Sequence, residues 1–267
     1  MSLTVGGARS TQLYVPASYD AATPMPLVVL LHGYTASGAV QETYLQLQKQ
    51  ADAQGFLYVH PDGTLDASKN RFWNATDACC DFQGTDVDDE GYLMGLVDEI
   101  ESKVSVDKKR VFFFGHSNGG FMAYRMACNH ADRIAGVGVL AGAMVKDATA
   151  CKPTAPVSVL HVHGTADATI AYKGGTVALG VPGYPGAEAS VAQWVAHDAC
   201  APQGIASGTA DYESKLPGEE TSFTSYGGCQ AGAAVELWTL DKGGHIPAFT
   251  KEFAPAAMKW LLSHPKP

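Results

Sequence analysis

Three residues of this chain have the types and the order that nucleophilic catalysis requires. Ser117 sits at the centre of Gly115-His116-Ser117-Asn118-Gly119, with Gly120 directly behind. Asp167 follows the apolar run Val157 to His163, and His245 follows Gly243-Gly244 late in the chain. A serine hydroxyl is a poor nucleophile until a base takes its proton, and the base in turn needs a carboxylate to orient it. The combination points to attack of an oxygen nucleophile on a carbonyl carbon. A second requirement is a pair of donors for the oxyanion that forms. The backbone N–H of Asn118, directly after the serine, supplies one. The N–H of Tyr34, in the small-residue turn His32-Gly33-Tyr34-Thr35, supplies the other, because Gly33 lets that backbone come close. The Tyr34 ring would then line the acyl pocket, with simple packing over the sheet edge as the alternative.

A Gly-X-Ser-X-Gly string arises by chance in a chain with 29 glycines, so its surroundings decide what it means. Four apolar residues, Val111 to Phe114, precede it and read as a strand buried on both faces. A proline-free segment of helix formers follows. Strand, sharp turn and helix with the serine at the tip is the setting of a nucleophile elbow. Strand and helix nearly touch there, so the residues two before and two after the serine must be small. The helix also aims its N-terminus at the developing negative charge.

The partners of Ser117 have rivals. Asp147, near the end of the preceding strand, and Glu188, in a later loop, could replace Asp167. His161 and His163 alternate on a strand and could suggest a metal, but no third ligand lies near them in sequence. A structural role explains them better. His116 reads as a packed neighbour of the nucleophile and His60 as a turn residue.

The elements that must hold these residues alternate. Thr11 to Val15 reads as an edge strand. Pro26–Leu31, Gly55–Val59, Val111–Phe114, Ile134–Leu140, Val157–His163 and Val235–Leu240 read as further strands. Helices are expected over 38–54, 90–104, 190–200 and 253–262, with Pro255 in the first turn of the last. Segments 172–185 and 201–228 read as loops. Segment 64–91 has little periodicity and several acidic residues. Their spacing matches no EF-hand loop, and Asp88 or Asp89 reads as the cap of the next helix, the rest being solvated. Alternation of this kind means an α/β fold: a mainly parallel sheet with helices on both faces, in one domain over residues 1–267. The chain order Ser, Asp, His is that of the α/β-hydrolase plan. About sixteen residues join the strand after the elbow to the His161 strand, too few for a large cap domain, so the cleft should be open.

Composition narrows the partners. A net charge of −9 argues against nucleic acid and against an anionic membrane surface. No run of about 20 apolar residues is present to span a membrane. The six cysteines lack zinc-ligand spacing, and their even count favours an oxidising compartment. Pairing is expected as Cys200 with Cys229 and Cys128 with Cys151, leaving Cys79-Cys80 as a vicinal disulfide or two thiols. Met1-Ser2-Leu3 reads as the start of a mature, secreted form whose leader is absent from this chain. A monomer is expected.

With these residues placed, the sequence resembles the secreted polyhydroxybutyrate depolymerase and feruloyl esterase family of α/β-hydrolases, which includes acetylxylan esterases. The resemblance rests on Leu31-His32-Gly33, Trp73 before Cys79-Cys80, Val87-Asp88-Asp89, Gly115-His116-Ser117-Asn118-Gly119-Gly120, His163-Gly164-Thr165-Ala166-Asp167 and Gly243-Gly244-His245, in that order. It implies a Ser117–Asp167–His245 triad, no metal and no organic cofactor. The family often has Trp and Pro shortly after the catalytic His, whereas Ile246-Pro247 follow at once here. A pocket wall is therefore altered. No separate polymer-binding module is expected within residues 1–267. The expected substrates are feruloyl, hydroxyalkanoate or other short-chain esters, free or polymer-attached. Tyr34, Trp73, Tyr184 and Trp194 are candidate aromatic walls. A serine peptidase of the same fold is the rival enzyme, but nothing supplies a peptide-anchoring domain. A non-catalytic binding protein on this scaffold would be expected to lose one triad member.

Overall fold

The computed structural model describes residues 1–266. Ten strands form one sheet: β1 (Ser2–Val5), β2 (Thr11–Tyr14), β3 (Met25–Leu31), β4 (Leu57–Val59), β5 (Val106–His116), β6 (Gly136–Leu140), β7 (Ser158–Gly164), β8 (Ile205–Ala210), β9 (Thr221–Tyr226) and β10 (Val235–Leu240). Their spatial order is β1-β2-β4-β3-β5-β6-β7-β10-β9-β8. The neighbours from β4 to β10 run parallel, and antiparallel strands extend both edges. This is an α/β-hydrolase architecture, with its parallel strands at the centre.

Period-two burial explains why the central strands are apolar throughout. Leu27, Val29 and Leu31 of β3 face one core, and Val28 and Leu30 face the other. Helices α3 (Asp89–Lys103), α4 (Asn118–Asn129) and α5 (Ala187–His197) cover the first face. Helices α1 (Gly38–Leu45), α2 (Leu47–Gln54) and α6 (Phe253–Leu262) cover the second. Asp88 caps α3 by accepting from the Gly91 N–H at 2.7 Å. Asp89 is not solvated: its buried carboxylate pairs with Arg9 at 2.6 Å and accepts from the Asn74 N–H at 2.8 Å.

Three expectations are corrected. The helix over 38–54 is two helices, because Gln46 adopts φ 53 and breaks the run. The segment 201–228 is no loop: it folds as the hairpin β8–β9 and lengthens the sheet. Thr11–Tyr14 is not the edge, since β1 pairs outside it. The connection between β6 and β7 carries one 3-10 turn, Ala148–Ala150, and no inserted cap. Disulfides join Cys128 to Cys151, Cys200 to Cys229, and Cys79 to Cys80.

Candidate active site

The elements deliver their loops to the carboxyl edge of the parallel strands, where ligands bind in open α/β sheets. Ser117 follows β5 directly and has φ 55, ψ −122, a conformation that bulky residues avoid. The neighbourhood explains the glycines. A Cβ on Gly115 would lie 1.9 Å from the Gly119 carbonyl oxygen, and one on Gly119 would lie 2.3 Å from that of Leu31. Any side chain at either position would push α4 off the sheet. The turn is fastened by the Ser117 N–H, which donates to Leu140 O at 2.8 Å.

Three loops meet at the serine. The Ser117 hydroxyl lies 2.9 Å from His245 Nε2, and His245 Nδ1 lies 2.7 Å from Asp167 Oδ2. Oδ1 of Asp167 accepts from the Thr169 and Ile170 N–H groups at 2.8 and 2.9 Å. Burial pushes the Asp167 carboxyl up, but hydrogen bonds from His163 and His245 outweigh it and hold it well below the carboxylate range. The Asp167 carboxyl therefore stays ionised beside His245 Nδ1. Its rivals lie elsewhere. Asp147 is exposed and caps the 3-10 turn through Thr149, and Glu188 pairs with Lys173 on the surface.

The loop bearing His245 is tied down rather than free to swing. The Ala166 N–H donates to Gly243 O at 2.9 Å, which joins the acid loop to the base loop. His116, directly before the nucleophile, has Nε2 3.0 Å from the His245 carbonyl oxygen, so that nitrogen donates. Burial, and then the neighbouring His245, drive the His116 imidazole down to about 4, and it is neutral at pH 7.

The backbone donors converge from two elements. Asn118 is the first residue of α4, so its N–H has no intrahelical acceptor. Gly33 brings the β3 loop alongside: a Cβ there would stand 3.3 Å from Ser117 Cβ. Among the described residues neither the Tyr34 nor the Asn118 N–H has a protein acceptor. His32 braces this loop, donating from Nδ1 to Gly33 O and accepting at Nε2 from the Gly63 N–H, both at 2.8 Å. Burial lowers its pKa to about 4, which keeps that arrangement neutral.

The aromatic candidates separate. Tyr34 is half-buried, donates to Asp66 Oδ2 at 2.9 Å and meets the edge of exposed Phe82. Trp73 is fully buried, with its indole N–H on His32 O, so it is core and not a wall. Trp194 is also fully buried, stacked on Tyr124. Tyr184 is buried against Phe121, its hydroxyl accepting from the Ala171 N–H. None of these three offers a ligand much surface. Sequence reading missed Gln41, a buried side chain whose Oε1 accepts from the Gly33 N–H at 3.4 Å, as well as His32 as a brace and Phe82. A cavity of about 660 Å³ lies between α4 and the segment after β6, lined by Arg125, Met144 and Lys146 among others. Its walls include none of Ser117, Asp167 and His245.

The profile of a family described as Esterase PHB depolymerase matches residues 9–214, a span that holds Ser117 and Asp167 and ends before His245. Feruloyl esterase B of Piromyces equi is 29% identical over 259 residues, covering 92% of this chain and 45% of that protein. A bifunctional acetylxylan esterase/xylanase, XynS20E of Neocallimastix patriciarum, is 26% identical over 246 residues, covering 91% of this chain and 32% of its own length. The chain thus spans less than half of these relatives. Among solved structures, the acetyl xylan esterase from Aspergillus awamori superposes with a TM-score of 0.68 at 16% identity, covering 98% of both chains. That likeness is one of fold.

Proposed function

The chain belongs to the esterase PHB depolymerase family, and we propose that it is a serine carboxylic ester hydrolase working through an acyl-enzyme. One observation carries the reading: Ser117 Oγ, His245 Nε2 and Asp167 Oδ2 are joined by two hydrogen bonds of 2.9 and 2.7 Å across three separate loops. His245 takes the hydroxyl proton as Oγ attacks the ester carbonyl. The Tyr34 and Asn118 N–H groups receive the oxyanion, a contribution worth roughly 10²–10³ in rate per donor. His245 then protonates the departing alcohol, and a water molecule repeats the sequence to release the acid. The steps need no metal and no organic cofactor.

The proposed substrates are hydroxycinnamoyl, hydroxyalkanoate and other short-chain esters, including polymer-attached ones. The lack of a cap between β6 and β7 supports access by bulky esters. Tyr34 and Phe82 supply the aromatic surface. Acetylated xylan is the second reading, favoured by the acetylxylan esterase among the relatives. We place the whole chain in one catalytic domain that acts as a monomer, because one chain supplies every group of the site. The three disulfides support an exported protein. A panel of hydroxycinnamoyl, hydroxyalkanoate and acetyl esters with one amide analogue tests the reading. Ester turnover lost in Ser117→Ala, with fluorophosphonate labelling of the wild type alone, is expected. Amide cleavage at rates matching the esters would favour a peptidase, and labelling that persists in Ser117→Ala would overturn the nucleophile.

A further inference from the structure

Behind the triad acid lies a buried polar chain that the reaction above does not use. His161 and His163 project from one face of β7, and both are fully shielded from solvent. The Tyr124 hydroxyl of α4 lies 2.7 Å from His161 Nδ1. His161 Nε2 lies 3.1 Å from His163 Nδ1. His163 Nε2 lies 2.8 Å from Ile170 O and 3.3 Å from Asp167 Oδ2, the same oxygen that His245 engages.

Donor counting fixes the direction of this chain. A carbonyl oxygen only accepts, so His163 Nε2 carries a proton. If His163 is neutral, its Nδ1 accepts from His161 Nε2–H, and His161 Nδ1 accepts from the Tyr124 O–H. Every proton then points down the chain to Ile170 O, beside Asp167, and every group is paired. If His163 is a cation, its Nδ1–H needs a bare His161 Nε2, and His161 must donate from Nδ1 to the Tyr124 oxygen. The Tyr124 O–H is then stranded, because His161 is its partner among the described residues. Nor can it shed the proton, since burial holds the phenol well above its ordinary range. A buried, unpaired hydroxyl is costly, so the neutral arrangement wins.

We propose that Tyr124, acting through His161, fixes His163 as a neutral Nε2–H donor that holds the Ile170 carbonyl beside Asp167 and leaves the whole carboxylate charge to His245. All three are positioning residues, and the inference rests on the triad assignment above. A cationic His163 would press its charge on the same oxygen and weaken the stabilisation of the imidazolium that forms at His245. The other titratable groups nearby do not supply that control. Tyr172 meets the His163 ring edge-on and has its hydroxyl on Thr239, and the Tyr184 hydroxyl is held by the Ala171 N–H. His116 bonds to the His245 carbonyl.

Two measurements test this. A two-bond ¹H–¹⁵N correlation spectrum of the ¹⁵N-labelled wild type at neutral pH should show both His161 and His163 as neutral Nε2–H tautomers. An Nδ1–H tautomer at either position, or an imidazolium at His163, overturns the proposal. This readout needs no turnover, so its result stands apart from the success or failure of the esterase reading. In Tyr124→Phe nothing donates to His161 Nδ1, so the direction of the chain is no longer fixed. The same spectrum of the folded variant should then show His161 leaving the single Nε2–H form, and kcat for an aryl ester should fall with KM little changed. An unchanged Nε2–H pattern at both imidazoles in a folded variant overturns the role of Tyr124. The wild-type spectrum decides the matter whether or not the variant folds.

Discussion

Trp73 and Asn118 clasp each other through a reciprocal pair of hydrogen bonds. The Trp73 N–H donates to Asn118 Oδ1 at 2.7 Å, and Asn118 Nδ2 donates to the Trp73 carbonyl at 2.9 Å. The amide side chain thus stands in for a neighbouring strand and satisfies a buried main chain that has no ladder of its own. In the proposed mechanism the same residue offers its N–H to the oxyanion. One asparagine therefore ties the segment before the Cys79–Cys80 disulfide to the elbow and fixes the first turn of α4.

Asn118→Ala tests this double duty. It leaves the backbone donor in place and orphans a buried N–H and a buried carbonyl, which should cost about 2–5 kcal/mol in chemical denaturation. The loosened turn should also lower kcat more than it raises KM. A variant with wild-type stability would show that water or another group replaces the clasp without penalty.

Asp167 and Asp147 separate cleanly by substitution. Asp167→Asn keeps the shape but allows the wrong tautomer at His245, so kcat should fall by about 10⁴. Asp147→Asn touches only an exposed 3-10 turn and should leave kcat within a factor of about two. Steady-state kinetics on one aryl ester compares the two, and the reverse ranking would reassign the acid.

The parallel sheet and the sharp turn at Ser117 were legible in the sequence because each left a local mark. Val111 to Phe114 is apolar on both faces, and Ser117 needs glycines on either side. The β8–β9 hairpin left no such mark. β8 is an edge strand whose residues are nearly all exposed, so no alternation records it. Trp73 and Trp194 mislead for a different reason: an aromatic residue reads the same in a wall and in a core, and only neighbours decide. The break at Gln46 is equally silent, since a non-glycine residue with positive φ has no compositional sign. His161 and His163 were visible as an alternating pair, but their partner Tyr124 lies 37 positions away in the chain.

The two long-range disulfides should contribute to stability without touching catalysis. Cys200–Cys229 and Cys128–Cys151 span 29 and 23 positions, and loops of that length give about 3.5 kcal/mol each in the chain-entropy model. Cys229 lies before β10 and Cys151 before β7, on the amino side of those strands, whereas the triad lies past their carboxyl ends. Replacing the Cys200–Cys229 pair with alanines should lower the denaturation free energy by about that amount and leave kcat of the folded protein unchanged. A large kcat loss would mean that the bridge reaches the catalytic loops.

The buried histidines make acid stability a sensitive readout. Burial lowers His32 and His116 to about 4 and His161 well below its ordinary value. In the unfolded chain each returns to about 6.5. Their folded values are depressed, so the unfolded state takes up protons first as the pH falls. The stability they contribute is whole above the unfolded value and is lost between there and about 4. Near pH 5 almost three more protons are bound in the unfolded state, a slope of roughly 3–4 kcal/mol per pH unit from these imidazoles alone. Urea denaturation at closely spaced pH values should show this steep fall, and replacing His32 with Asn should remove about one proton from the slope while weakening the brace on Gly33. A denaturation free energy that stays level from pH 7 to 5 would mean that these rings are not held neutral and that the hydrogen-bond directions drawn for His32 and His116 are wrong.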